Sequence, residues 1–234
     1  MRVTIFQDIY KKNESDAHVI QLSTALKRIK EGNSQTVIEA IRDGSKDFKK
    51  KLPVVLFSGE FKARNDEALE KHSQFIILDF DHINVEASKA VLSTDPYVYS
   101  CWVSPSGDGL KALVKITNPE RHRDHFRALR TYFEKQYTLE VDESGINESR
   151  ACFESWDPDI VINEESKPFG AFATEKSESQ VAVSQSGSYT DYLKLNLAAR
   201  MIRQCLMGRN TTRCFVRLSC AADTYQLAVW RKTK

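Results

Sequence analysis

Hydrophobic positions along this chain fall into runs, alternations and helical stripes, and each predicts an element. The strongest run is Phe75-Ile76-Ile77-Leu78, continued by Asp79-Phe80-Asp81. Four large apolar residues in succession read as a strand buried on both faces. Residues 53–57 and 97–103 predict two further strands, the second rich in aromatic and β-branched side chains. Residues 110–116 return as its partner across a tight turn at 104–109, and residues 1–5 form a short β-like segment. Helical spacing links Leu26 and Ile29, with Ser23 as a cap and Gly32 as a stop. It recurs at Val37, Ile38 and Ile41, opened by Ser34 and closed by Gly44, and over 85–92 behind Asn84. The longest stripe is Phe126, Leu129, Phe133 and Tyr137, behind the helix start Asn118-Pro119-Glu120. Asn65 is a candidate cap for a short helix before the apolar run. Residues 139–142 are expected to be a strand or its end, 144–150 a polar loop, and 151–155 and 159–163 short strands.

The pattern then fades. From 164 to 190 the chain is Ser-, Gln-, Glu- and Lys-rich with little periodicity, which predicts a flexible linker. A helical pattern returns through Leu195, Ala198, Ala199 and Ile202. After Met207 no clean period of 3.6 or 2 is evident. The expected organisation is a domain over 1–163, a linker over 164–190 and a helical, basic tail over 191–234, truncated or atypical. The end of that tail reads either as a remnant with no packing role or as a basic arm for nucleic acid.

Composition changes this picture little. The 234 residues are 41% hydrophobic and 28% charged, with a net charge of +2, as in ordinary globular proteins. Basic residues are unevenly placed: four lysines in Lys46–Lys51, four arginines between 121 and 130, and a basic C-terminal stretch. A solvated face is the plain reading of each. No segment approaches the roughly 18 apolar residues of a membrane span, and no signal-peptide core opens the chain; a cytoplasmic protein without a membrane partner is expected. The five cysteines (101, 152, 205, 214, 220) show no C-x-x-C or zinc-like spacing and read as reduced thiols.

The candidate chemistry begins at Asp79 and Asp81. Side chains alternate along a strand, so both carboxylates share one face, about 7 Å apart along the backbone. They repel unless a cation lies between them, and Mg²⁺ or Mn²⁺ suits such oxygen donors. On that reading, removing Asp79 relieves repulsion and leaves stability unchanged or higher. A strand leaving the core into solvent is the alternative. The turn brings Ser104, Ser106, Gly107 and Gly109 close to Lys111, an arrangement suited to a phosphate or nucleotide, although a plain Gly-containing hairpin fits equally. Arg64 could serve a phosphate or simply be a surface arginine.

These pieces occur in the order Leu52-Pro53, Ser58-Gly59-x-Phe61-x-x-Arg64, His72-Ser73, Leu78-Asp79-Phe80-Asp81, Ser104-Pro105-Ser106-Gly107-x-Gly109-Leu110-Lys111, then Asp142-x-Ser144 with Ser149-Arg150. The set resembles the archaeo-eukaryotic primase (primase–polymerase) superfamily, nearest to N-terminal domains of virulence-associated-E-type replication proteins of mobile elements, over roughly residues 1–165. The resemblance implies an α+β, primase–polymerase-like (RRM-like) fold. It would have a mixed or antiparallel sheet, flanking helices and a short helical C-terminal segment. It implies metal-dependent nucleotidyl transfer, with Asp79, Asp81 and Asp142 as catalytic acids and ligands of Mg²⁺ or Mn²⁺. NTP or dNTP would be the substrate, held by Arg150, Lys111, Arg64 and the turn residues. A single-stranded DNA template and a replicative helicase would be partners. Lys111 stands where the superfamily carries a histidine. Two other readings stay open: a degenerate module that binds nucleic acid without catalysis, and a haloacid-dehalogenase-type phosphatase with Asp79 as nucleophile and Asp81 as general acid. No G-x-x-x-x-G-K-[ST] phosphate loop is present in the chain.

Overall fold

In the computed structural model, which describes residues 1–172 and the strands Phe215–Ala221 and Thr224–Trp230, two four-stranded antiparallel sheets share an interior. The chain opens with β1 (Arg2–Phe6) and β2 (His18–Gln21), then α1 (Leu22–Glu31) and α2 (Gln35–Arg42). A 3-10 segment, Lys46–Lys51, leads into β3 (Val54–Leu56) and a hairpin of β4 (Gly59–Phe61) and β5 (Leu69–His72). The apolar run is β6 (Phe75–Phe80), followed by α3 (Val85–Leu92), β7 (Val98–Val103), β8 (Leu110–Lys115) and α4 (His122–Tyr137). Two short strands, β9 (Cys152–Phe153) and β10 (Val161–Ile162), complete the sheets. The first sheet runs β2-β1-β3-β9 and the second β10-β7-β8-β6. In the second, β8 lies between β6 and β7 and antiparallel to both, so α3 joins two parallel strands around a third, a split β-α-β arrangement.

The parity of β6 explains the layering. Ile76, Leu78 and Phe80 enter one core with Phe126, Leu129 and Phe133 of α4, and Phe80 meets Phe133 edge-on at 5.4 Å. Phe75 and Ile77 enter the other core, with Val3, Val55 and Phe57 from the first sheet and Leu26 and Ile29 of α1. Each such side chain, fully buried, contributes roughly 1.5–3 kcal/mol. Strand β6 is unpaired on one side within its sheet, and there the main chain of 142–146 covers it: the Asp142 N–H donates to the Asp79 carbonyl at 2.9 Å.

Local signals placed several helix ends, although α1 begins at Leu22 and holds the expected cap Ser23 inside it. Asn84 and Asn65 accept from the N–H groups of Ala87 and Ala68 at 3.0 and 2.9 Å, and Gly32 caps α1 in the left-handed region at φ 78°. Ser34 precedes α2 without capping it, since its hydroxyl donates to buried Glu154. Several expectations change. Residues 139–142 form no strand; Leu139 and Val141 are buried from irregular backbone, and Glu143–Ile146 is a 3-10 turn capped by Asp142. The boundary expected at 163 falls inside packed structure. Phe169 is buried and bridges to Ile116, so residues 164–172 belong to the domain; the rest of the expected linker lies outside the described residues.

The chain divides into two units, Met1–Glu178 and Ser179–Lys234. In the second, β11 (Phe215–Ala221) and β12 (Thr224–Trp230) form an antiparallel hairpin that pairs Val216 with Val229, Leu218 with Leu227 and Cys220 with Tyr225. This corrects the expectation of a helical tail without period at that point. Val216, Leu218 and Cys220 do alternate with Arg217 and Ser219, and Tyr225, Leu227 and Val229 with Gln226 and Ala228. The helix expected over 192–206 lies outside the described residues. No helix among the described residues is long and apolar enough to cross a membrane.

Candidate active site

Parity also sets the chemistry. Asp79 shares its side of β6 with Phe75 and Ile77, so its carboxylate faces the interior between the sheets. Directly across the β6–β8 register stands Lys111, on the same side as Leu113. The two form a buried ion pair through Asp79 Oδ1, with side chains 9% and 10% exposed. The other oxygen, Oδ2, accepts from Arg150 Nη2 at 3.0 Å, and that nitrogen also lies 2.9 Å from Asp142 Oδ2. Asp142 is fixed in turn by the Ser144 N–H at 3.0 Å and the Ser144 hydroxyl at 2.6 Å, while Arg150 Nη1 donates to that hydroxyl at 2.6 Å.

Charges in this cluster hold one another ionised. Burial pushes the Asp79 carboxyl up, but the Lys111 ammonium and Arg150 guanidinium outweigh it, leaving Asp79 below the usual carboxylate range. Lys111 stands above the usual lysine range: burial pulls it down, while Cys152 and then Asp79 act the other way. Asp142 is also lowered: burial opposes ionisation, and the Ser144 hydrogen bonds and then Arg150 overcome it. Neighbouring Cys152 is pushed up to about 12 by burial and remains a neutral thiol.

The cluster forms the wall of a cleft of about 460 Å³. Asp79, Asp81, Lys111, Ser144 and Arg150 line it, joined by Arg64 and by Lys49, Asn147, Ser149 and Phe153. Arg64 is no free surface residue. Its Nη2 donates to the Ile9 carbonyl at 2.7 Å, and its Nε is buried without a partner. Arg150 Nε is likewise buried and unpartnered. Two guanidinium groups thus belong to the lining of one cleft, and such groups suit an oxyanion.

Sequence reasoning brought Asp79, Asp81, Lys111, Arg150 and Arg64 to one place, with Asp142 bonded to the cluster from the adjoining turn. Ser104, Ser106, Gly107 and Gly109 do not line the cleft. Their turn is internally bonded, with Ser104 N–H to the Gly109 carbonyl at 2.9 Å and Gly107 N–H to the Ser104 carbonyl at 3.0 Å. Gly109 instead sets the turn against the end of β6: a Cβ there would collide with the Phe80 carbonyl oxygen and stand 3.3 Å from Asp81 Cα. Lys49 escaped sequence reasoning because nothing distinguishes it from the three lysines beside it. A histidine pair escaped as well, its members being 50 residues apart. His72 Nε2 and His122 Nδ1 are 2.9 Å apart, and His72 Nδ1 accepts from the Gln74 N–H at 2.8 Å. That network assigns the Nε2–H tautomer to His72 and makes His122 Nδ1 an acceptor.

Asp79, Asp81 and Asp142 offer the hard oxygen donors that would suit Mg²⁺ or Mn²⁺. In this arrangement both oxygens of Asp79 are engaged by Lys111 and Arg150. Among the described residues no group of three or more His, Cys, Asp or Glu side chains is disposed to hold a metal.

Residues 47–161 match the family described as BT4734-like, N-terminal domain. The match covers just under half of the chain and includes every residue of the cluster, so this region is similar to that family. No curated protein and no solved structure is matched.

Proposed function

We propose that the cleft binds a nucleotide and that the chain is a primase–polymerase-like nucleotidyltransferase. The observation that carries this reading is the convergence of three separate segments on one cleft: the acids of β6, the lysine of β8, and the 142–150 turn with its acid and arginine. The presence of Arg64 and Arg150 in the cleft lining supports an oxyanion ligand, for which a triphosphate supplies several oxygens. Antiparallel sheets with flanking helices agree with the coarse part of the fold that the resemblance implies.

The residues have distinct roles. Arg150 and Arg64, both in the cleft lining, take phosphate oxygens. Lys111 is a buried point charge that keeps Asp79 ionised and contributes positive potential at the bound phosphates. Asp142 and Ser144 fix the orientation of Arg150. A divalent cation on Asp79, Asp81 and Asp142 would supply charge neutralisation at the α-phosphate and lower the pKa of an attacking 3′-hydroxyl. A single-stranded DNA template and a separate helicase belong to the same reading.

The decisive experiment is primer synthesis from labelled NTPs and dNTPs on single-stranded DNA with Mg²⁺ or Mn²⁺. Metal-dependent incorporation that is lost in Asp81→Asn, at an exposed position of the cleft lining, supports the enzyme; absence of incorporation by the wild type ends it. A second reading has its own observation. Both Asp79 oxygens are engaged by cations, which suits a nucleotide- or nucleic-acid-binding module without catalysis. Nucleotide binding without incorporation selects it. The same engagement argues against Asp79 as the free nucleophile of a phosphatase.

A further inference from the structure

Asp66 stands outside the cleft lining, yet its carboxylate ties together the two stretches that carry Arg64 and Arg150. Arg64 and Asp66 lie between β4 and β5, whereas Arg150 ends the turn that begins at Asp142. The first of these stretches is firmly held. The Arg64 N–H donates to the Lys12 carbonyl at 3.0 Å, the Lys62 N–H to the Ala68 carbonyl at 3.0 Å, and Asn65 caps the 3-10 turn that follows. From this base Asp66 Oδ1 accepts from the Ser149 N–H at 2.9 Å, across 83 residues of sequence. Its Oδ2 accepts at 2.9 Å from Nη2 of Arg123, in the first turn of α4.

The 142–150 turn is fixed at both ends. Its Asp142 N–H is bonded to β6, and Ile146 packs against the core that includes Phe126. Just past it, Cys152 pairs with Val55. Residues 147–149 between them are irregular backbone. Among the described residues, the side chains of other elements that bond to 147–149 are Asp66 and Arg123, the latter through Glu148 at 3.4 Å. With side chains 29% and 50% exposed, the Asp66–Arg123 pair contributes little to stability. Its consequence is geometric: Arg123 holds the carboxylate, the carboxylate holds the Ser149 N–H, and the next residue is Arg150. Burial pushes the Asp66 carboxyl up, but the Ser149 and Arg123 contacts outweigh it, so the acceptor is ionised at neutral pH. A charged acceptor on a backbone N–H makes one of the stronger hydrogen bonds. Asp142 and Ser144 orient the guanidinium, whereas Asp66 fixes the main chain that carries it.

We infer that Asp66 is a positioning residue: acting through the Ser149 N–H, it holds Arg150 at the cleft in the geometry that binds a phosphate. The phosphate-binding half of this rests on the nucleotide reading; the fastening of the turn does not.

The test uses the full chain in two measurements. Titration with a fluorescent ATP analogue is expected to show Asp66→Ala weaker by about fivefold or more, for a lost hydrogen bond to a charged acceptor. Asp66→Asn keeps an oxygen for the Ser149 N–H and should stay within about twofold of the wild type. Glu70→Ala removes another acid of the same hairpin, paired with Lys62 at 2.9 Å, and should also stay within about twofold. Because Asp66 acts through Arg150, Asp66→Ala should weaken binding no further once Arg150→Ala is present. A merely structural contribution would add in that background. Hydrogen exchange of the free protein is the second measurement: Asp66→Ala should speed exchange at 147–151 by about fivefold or more, while the amides of β6 keep their protection. Four results would overturn the inference: wild-type affinity in Asp66→Ala, equal losses in the alanine and asparagine variants, a full further loss beside Arg150→Ala, or lost protection in β6, which would make Asp66 a residue of the fold. Absence of nucleotide binding by the wild type ends the nucleotide reading alone. Exchange at 147–151 then decides the fastening by itself: faster exchange in Asp66→Ala supports it, and unchanged exchange overturns it.

Discussion

Asp79 and Lys111 face each other across the β6–β8 register as a buried ion pair. The sequence alone suggested two carboxylates in need of relief, so that removing one would cost nothing. The structure reverses that sign. Asp79→Leu leaves the Lys111 ammonium buried without its carboxylate, at a cost of about 3–5 kcal/mol. The double variant Asp79→Leu/Lys111→Met replaces the pair with apolar side chains and should recover most of that loss. Chemical denaturation of the wild type, both single variants and the double variant checks this. A single Asp79→Leu protein as stable as the wild type would show that the pair is not formed in solution.

Arg150 leads to a second expectation, on binding rather than stability. One of its nitrogens spans Asp79 and Asp142 while its Nε has no partner. Arg150→Ala should weaken nucleotide binding about tenfold or more, whereas Arg150→Lys should restore only part of it, since an ammonium cannot bridge both acids and also donate from a second edge. Equilibrium nucleotide titration measures both. Full rescue by lysine would reduce the role of Arg150 to that of a point charge.

How much of this was legible follows from the physical signal each element carries. The β6 run and the β7–β8 hairpin are buried on both faces or sharply bounded, and the pattern shows them directly. Strands β2 and β5 are mostly exposed, at His18–Gln21 and Leu69–His72, so they have no apolar alternation to read. The acids of β6 were visible through parity. Their engagement by Lys111 and Arg150 was not, because register and the path of the 142–150 turn decide it, and neither is local. Lys49 is one lysine among four, and only the fold shows that it reaches the cleft.

The histidine pair predicts a pH dependence. Burial lowers His72 to about 4; burial, and then the neighbouring His72, lower His122 to about 3. Both therefore stay neutral in the folded protein while the unfolded chain protonates near its ordinary value of about 6.5. Between those values the unfolded state binds more protons, so stability falls as pH drops below about 6.5 and levels off below the folded values. At pH 5 the loss should be on the order of 2 kcal/mol for each histidine. His122→Asn should flatten the dependence, as measured by denaturation at pH 7 and pH 5. An equal slope in the variant would move the cause elsewhere.

Gly109 gives a geometric prediction. A methyl group there meets the Phe80 carbonyl, which cannot move without shifting the end of β6. Gly109→Ala should therefore destabilise by about 1–3 kcal/mol and weaken any ligand held by Asp81. By contrast, a Cβ on Gly44, at φ 111°, meets nothing within 4 Å, so Gly44→Ala should cost only its backbone strain, about 1 kcal/mol. Thermal melts of the two variants, with ligand binding on the first, compare collision with strain.

The last prediction concerns where the first domain stops. Composition places a linker from residue 164, yet Phe169 is 5% exposed, with its ring 5.2 Å from that of Tyr97 and 5.7 Å from that of Tyr132. Its backbone is fixed on both sides. The Phe169 N–H donates to the Lys115 carbonyl at 2.7 Å, and its carbonyl accepts from the Thr117 N–H at 3.2 Å. Two residues on, the Ala171 carbonyl lies 2.7 Å from His125 Nδ1 on α4. One aromatic residue in a polar stretch thus extends the second sheet and covers the aromatic cluster behind it. Phe169→Ala should cost about 3–5 kcal/mol, as for other buried aromatic truncations. A chain ending at 163 should lose at least as much, because it also removes the backbone pairing with residues 115–117. A chain ending at 172 keeps every one of these contacts and should retain the stability of the first unit. Denaturation of the two truncated chains beside Phe169→Ala decides the boundary. Equal stability of the two truncations would restore the linker to residue 164.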